Sequence, residues 1–265
     1  MLEKKPQGAF PQTIKSFAAD IAFDTWNTVQ YFRHFFNIHF GDASPISEKS
    51  AHPPVILVQG FLGTRSVLDP LERFMRGRGR QVFLIDLGLV NIRDIRESAD
   101  TLLFEVDRII DEYSKTHGFT KFDIVAHSMG GLIALYYIKK LGGSRVIRKL
   151  VSLGTPYRGT WTAALGAALF GLVSKGVWQM LPGSAFLKEL HLNVGFERTQ
   201  VYSISAKADT ICPPRSCFLK GAVNRILPLG HASLVMDRRV FETIVAFLDG
   251  DRIESKVVDF GHFRK

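Results

Sequence analysis

The chain has 265 residues, enough for a large domain with a well-buried core, and 46% of them are hydrophobic, an ordinary share for a globular protein. Its net charge is +9, but the basic residues are scattered and form no nucleic-acid-binding motif, so the charge suits acidic surfaces such as anionic lipid headgroups rather than DNA or RNA. Cys212 and Cys217 are too few for a disulfide framework and do not make a zinc site, so neither a metal nor a cofactor is expected.

Residues 1–50 read as an N-terminal amphipathic helix and a linker. The spacing predicts a helix from about Thr13 to about Phe40. At about 100° per residue, Ile14, Phe17, Ala18, Ile21, Trp26, Val29, Phe32, Phe35 and Phe36 share one arc, with Asp20, Asp24, Asn27, His34 and Asn37 opposite. An arc this aromatic either packs on the domain or lies on a membrane surface, so residues 13–40 are a candidate for peripheral membrane contact. No apolar run reaches the roughly 20 residues of a spanning helix. No secretory signal peptide is visible, so a cytoplasmic or membrane-peripheral location is expected.

Residues 51–250 alternate strand and helix signals. Val55–Val58 and Val82–Ile85 are short apolar runs, and each is followed by helical spacing, over Val67–Arg76 and from Ile95 to His117. Phe122–Val125, Lys149–Leu153, Val201–Ser205 and Arg225–Leu229 continue the series, and a last helix is predicted over Val235–Leu248. The pattern predicts an α/β fold, a mostly parallel central sheet with helices on both faces. Residues 251–265 read as a basic tail. Cys212 and Cys217 are close enough in sequence that a small loop disulfide and two free thiols both stay open.

The most informative stretch is Ala126-His127-Ser128-Met129-Gly130-Gly131, between a predicted strand and a predicted helix. A serine in a tight strand-to-helix turn needs small neighbours, and the arrangement is that of a nucleophile elbow. The plainer reading of Ser128 is a helix N-cap. A serine nucleophile needs a base, and the base needs a group to fix its tautomer. His231 and Asp209 each follow a predicted strand, where α/β sheets bind ligands, and they complete the order Ser…Asp…His. His127, next to the serine in sequence, is expected to point elsewhere. Backbone N–H groups of Met129 and Phe61 are the candidates for an oxyanion hole, with Gly60 letting the Phe61 loop approach closely.

The Ala-His-Ser-Met-Gly-Gly run resembles bacterial lipases and esterases of the α/β-hydrolase superfamily. So do Gly154-Thr155-Pro156-Tyr157-Arg158-Gly159 and Gln179-Met180-Leu181-Pro182-Gly183-Ser184. The resemblance covers about residues 54–248. It implies an α/β-hydrolase fold with a small helical cap at about residues 160–190, and cofactor-free cleavage of carboxylic esters, lipid or other apolar acyl esters. On this reading Phe170 and Trp178 would bind substrate within the cap. Two departures stand out: Gln59 precedes Gly60 where relatives have histidine, and Tyr157 replaces the common histidine after Thr-Pro. An acyltransferase or thioesterase would use the same triad. A non-catalytic membrane scaffold is the remaining alternative, and the complete triad weighs against it.

Overall fold

Runs of aliphatic and β-branched residues build the centre of the molecule. In the computed structural model, which describes residues 26–31, 33–34, 50–61, 65–88, 91–117, 120–164, 174–192, 196 and 198–250, they form six strands. These are β1 (Val55–Val58), β2 (Val82–Leu84), β3 (Phe122–His127), β4 (Ile147–Leu153), β5 (Gln200–Ala206) and β6 (Val223–Leu227). The order is β2-β1-β3-β4-β5-β6, and every neighbouring pair is parallel. The helices are α1 (Asp69–Gly77), α2 (Ile95–His117), α3 (Met129–Lys140), α4 (Lys175–Gln179), α5 (Ala185–His191), α6 (Pro214–Cys217) and α7 (Arg238–Asp249).

β1 is apolar along its whole length and β3 is buried along its own, because both faces of the sheet are covered there. Ile56, Val58, Ile124 and Ala126 pack with α2 and α3, while Val55, Leu57, Val125 and Val151 pack with α1 and α7. The strand order reverses at β1, so the carboxyl ends of β1 and β3 flank the crevice where such sheets bind ligands. Buried charge collects at the opposite end. Arg148 meets the buried Asp123 carboxylate through two hydrogen bonds, of 3.0 and 2.6 Å. The Lys149 ammonium, also buried, donates to the carbonyls of Phe247 (3.1 Å), Leu248 (3.1 Å) and Gly250 (2.5 Å), closing the C-terminal end of α7.

Element boundaries differ from the sequence expectation by a few residues. The chain enters α1 through a 3-10 turn, Arg65–Leu68, with Pro70 in the first helical turn. The final helix starts at Arg238 rather than Val235, because Asp237 caps it by accepting from the Arg239 N–H at 2.7 Å. The last strand lies two residues earlier than predicted. Both cysteines are free, buried thiols. Among the described residues no helix is long and apolar enough to cross a membrane.

The N-terminal segment departs most from its pattern. Residues 26–31 and 33–34 are helical, but the predicted polar side is the one turned inward. Asn27 is 4% exposed and donates to Ser233 Oγ at 3.0 Å, and His34 Nδ1 lies 4.0 Å from Asp69 Oδ2. Trp26 and Val29, from the predicted apolar arc, are 60% and 55% exposed. A buried amide with a partner costs little, so one specific hydrogen bond overrides the hydrophobic count. The rest of residues 13–40, the linker up to residue 49 and the basic tail lie outside the described residues.

The closest packing is where α3 leaves β3. A Cβ on Gly130 would sit 2.5 Å from the Gln59 carbonyl oxygen and 2.6 Å from that of Val58, and one on Gly131 would meet the Thr155 side chain at 2.0 Å. Backbone atoms cannot move aside as a side chain can. Gly130→Ala is therefore expected to lower stability by about 1–3 kcal/mol or more through overpacking, read as a drop in the urea midpoint. An unchanged midpoint would contradict the packing described here.

Candidate active site

Ser128 sits between the last residue of β3 and the first of α3 with φ 53° and ψ −126°. Among the described residues it is the only non-glycine with positive φ. Such a conformation is strained for any residue with a Cβ and persists only where neighbours impose it. Here the Ser128 N–H donates to the Leu153 carbonyl at 2.8 Å, and the Ser128 carbonyl accepts from the Gly131 N–H at 3.0 Å. The side chain makes no capping hydrogen bond to α3, so the N-cap reading does not describe it. The hydroxyl instead faces a cavity of ≈ 490 Å³.

Asp209 follows β5 and is fully buried at its side chain. Its Oδ1 accepts from the N–H groups of Ile211 (2.9 Å) and Cys212 (2.7 Å), and its Oδ2 pairs with His231 Nδ1 at 2.6 Å. A carboxylate only accepts, so Nδ1 carries the proton and Nε2 is left as the acceptor. His231 comes after β6 and lies over Gly154: a Cβ there would be 3.1 Å from both Cε1 and Nδ1 of the imidazole. Gly154 has φ +59°, so the glycine of the Gly-Thr-Pro run serves the site twice, by conformation and by space.

The predicted oxyanion elements also converge. A Cβ on Gly60 would be 2.8 Å from Ser128 Cβ, 2.9 Å from the His127 carbonyl and 3.5 Å from the Met129 nitrogen. Only glycine lets the β1 loop come this near the elbow. Phe61 lines the cavity with Ser128 and His231. Gln59, in the position of the relatives' histidine, is buried and donates to the Gly88 carbonyl at 3.3 Å.

Trp178 is a correction. It is 53% exposed and does not line the cavity. Ser174 caps α4 by accepting from the Val177 N–H, and the helix so placed turns Val177 and Met180 to the cavity instead. Phe170 lies outside the described residues. Ala163 and Ile211 add to the apolar part of the lining. His127 does not point elsewhere. It lines the cavity, 3% exposed, with its ring 4.9 Å from that of His231. Tyr31 packs on its other side at 6.2 Å, and burial pushes the Tyr31 phenol up to about 12. Tyr31 and Thr28 also line the cavity. The helical periodicity gives neither a role, since neither belongs to the apolar arc or to the polar residues opposite it. Among the described residues no cluster of side chains could hold a metal ion.

Over residues 80–219, more than half of the chain, the sequence matches the family described as "Alpha/beta hydrolase of unknown function (DUF915)". The fold is similar to that of the Bacillus licheniformis lipase BlEst2. Its mature form gives a TM-score of 0.66 at 18% identity, over 78% of this chain and 97% of that one. Its propeptide form gives 0.69 at 16% identity, over 79% and 53%. Aspergillus fumigatus lipase B gives 0.64 at 15% identity, over 79% and 56%. The chain thus spans about half the length of the last two.

His127 gives the site a pH signature. Burial, and secondarily the neighbouring His231 charge, hold its imidazole well below the usual histidine range. In the unfolded chain the ring takes up a proton near pH ~6.5, and in the folded chain it stays neutral. Its contribution to stability is therefore complete above that pH. It is lost as the pH falls from there toward the folded-state value, by at most about 1.4 kcal/mol per pH unit. Urea unfolding between about pH 7 and pH 5 is expected to show a steeper loss for the wild type than for His127→Phe. Parallel curves would mean that His127 is protonated in the folded state.

Proposed function

This chain belongs to the family of α/β hydrolases of unknown function (DUF915), and from that premise we propose that it is a serine hydrolase cleaving carboxylic esters with apolar acyl groups. One observation carries the reading. A serine held at positive φ, with no capping role, shares a cavity with a histidine whose Nδ1 is fixed by a buried carboxylate.

The chemistry follows from the geometry. His231 Nε2 takes the proton of the Ser128 hydroxyl as its oxygen attacks the ester carbonyl. Asp209 keeps the imidazole in the required tautomer and stabilises the cation that forms. The N–H groups of Met129 and Phe61 receive the developing oxyanion. The carbon–oxygen bond to the alcohol breaks, and the alkoxide takes the proton from His231. Water then repeats the sequence on the acyl-Ser128 ester and releases the acid. Ala163, Val177, Met180 and Ile211 give the acyl chain an apolar lining, worth about 0.8 kcal/mol per buried CH₂.

A lipid surface is the proposed setting. The chain has three tryptophans, and Trp26, Trp161 and Trp178 are exposed by 60%, 72% and 53%. Each is within two residues of a cavity-lining position: Thr28, Thr160 and Thr162, and Val177. Tryptophan favours the boundary between water and lipid, and the +9 charge suits anionic headgroups.

Labelling, ester kinetics and tryptophan fluorescence test these statements. A fluorophosphonate is expected to label the wild type and not Ser128→Ala. Both Ser128→Ala and Asp209→Asn should lose about 10³-fold or more in kcat/KM toward esters, and the wild-type kcat/KM should rise from acetate to octanoate esters. Ser128→Ala activity within about tenfold of the wild type would overturn the assignment, and a flat acyl profile would overturn the apolar acyl group. Tryptophan emission should shift to shorter wavelength with phosphatidylglycerol vesicles and less with neutral ones. Unchanged emission with either would exclude the lipid surface.

A further inference from the structure

The N-terminal segment lies outside the sheet and outside the residues matched by the family. It nevertheless supplies Thr28 and Tyr31 to the cavity that holds Ser128 and His231. Two of its contacts lead to the histidine. Asn27 donates to Ser233 Oγ at 3.0 Å, two residues beyond His231. The Tyr31 ring packs on His127 at 6.2 Å, and His127 packs on His231 at 4.9 Å.

Chemistry assigns a meaning to this side of the cavity. When the tetrahedral adduct collapses, the bond from carbon to the alcohol oxygen breaks, and that oxygen takes the proton His231 received from Ser128. The alcohol half of the ester must therefore lie against His231 and the elements beside it. The apolar lining residues Ala163, Val177 and Met180 come from another stretch, the chain after β4.

We infer that the N-terminal segment is the alcohol-side wall of the cavity, and that Thr28 and Tyr31 select the alcohol moiety of the substrate. The inference rests on the ester-hydrolase reading. It makes residues 26–34 a specificity element rather than an appendage.

The test compares two ester panels on the full-length protein. In one the acyl group is fixed as butyrate and the alcohol grows from methyl through butyl to glycerol and benzyl. In the other the alcohol is fixed as methyl and the acyl chain grows. Thr28→Trp is expected to lower kcat/KM for the bulkier alcohols by about tenfold relative to methyl esters, a change of the size that pocket contacts confer. Tyr31→Ala is expected to change the alcohol ranking in the opposite direction. Neither should alter the slope of the acyl panel. Val29→Ser, at an exposed position of the same segment, should match the wild type in both. Circular dichroism and the urea midpoint identify any variant that has not folded, and Tyr31→Phe, which keeps the ring, then replaces Tyr31→Ala. Alcohol profiles parallel to the wild type, an acyl profile that shifts equally, or an equal shift in Val29→Ser would overturn the inference. Absence of ester turnover in the wild type would instead overturn the hydrolase reading.

Discussion

The molecule is arranged around the backbone conformation of one residue. Ser128 is held at φ 53°, a state that costs on the order of 1–3 kcal/mol. Everything near it is shaped to keep it there. β3 feeds the residue in, α3 leads the chain out, and β4 accepts its N–H. Gly60, Gly130 and Gly131 are small because Ser128 Cβ, two β1-end carbonyls and the Thr155 side chain occupy the space a methyl group would need. The strain is local, and the packing that offsets it is spread over three strands and a helix.

Charge is sorted along the sheet. At the strand starts, Arg148, Lys149 and Asp123 pair with one another or with the carbonyls that end α7. At the strand ends, two histidine rings tilted against each other line the cavity, and the buried Asp209 carboxylate pairs with one of them, His231. That carboxylate is fixed by backbone N–H donors and His231. An imidazole set against the neutral, buried His127 meets no fixed charge on that face, so Asp209 is left as its orienting partner.

Much of this was legible in the sequence, and the reasons are physical. A parallel sheet buries both faces, so its strands are continuous apolar runs that can be found without a partner sequence. Ser128, Asp209 and His231 could be placed because each follows such a run; Ser128 and His231 line one cavity, and Asp209 pairs with His231. What periodicity could not reach was any choice decided by a distant partner. Asn27 turns inward because Ser233 is there to accept its hydrogen bond, and with it the supposed polar side of the segment becomes the buried one. The resemblance puts Trp178 against substrate as an apolar residue of the cap segment, whereas the Ser174 N-cap sets α4 so that Val177 and Met180 line the cavity. His127 is expected to point elsewhere only because it is next to Ser128 in sequence, and the turn at the elbow leaves both residues in the cavity lining.

The hydrogen bond from Asn27 to Ser233 joins positions 206 residues apart. Closing so long a loop is slow, and it yields nothing until most of the intervening chain is already in place. A chain emerging from the ribosome would complete the sheet from β1 to β6 before this contact could exist. The cavity therefore acquires its last wall at the end of folding, after the elbow and its neighbours are set. The order in which the wall and the elbow are joined is thus a matter of chain topology rather than of any residue of the site.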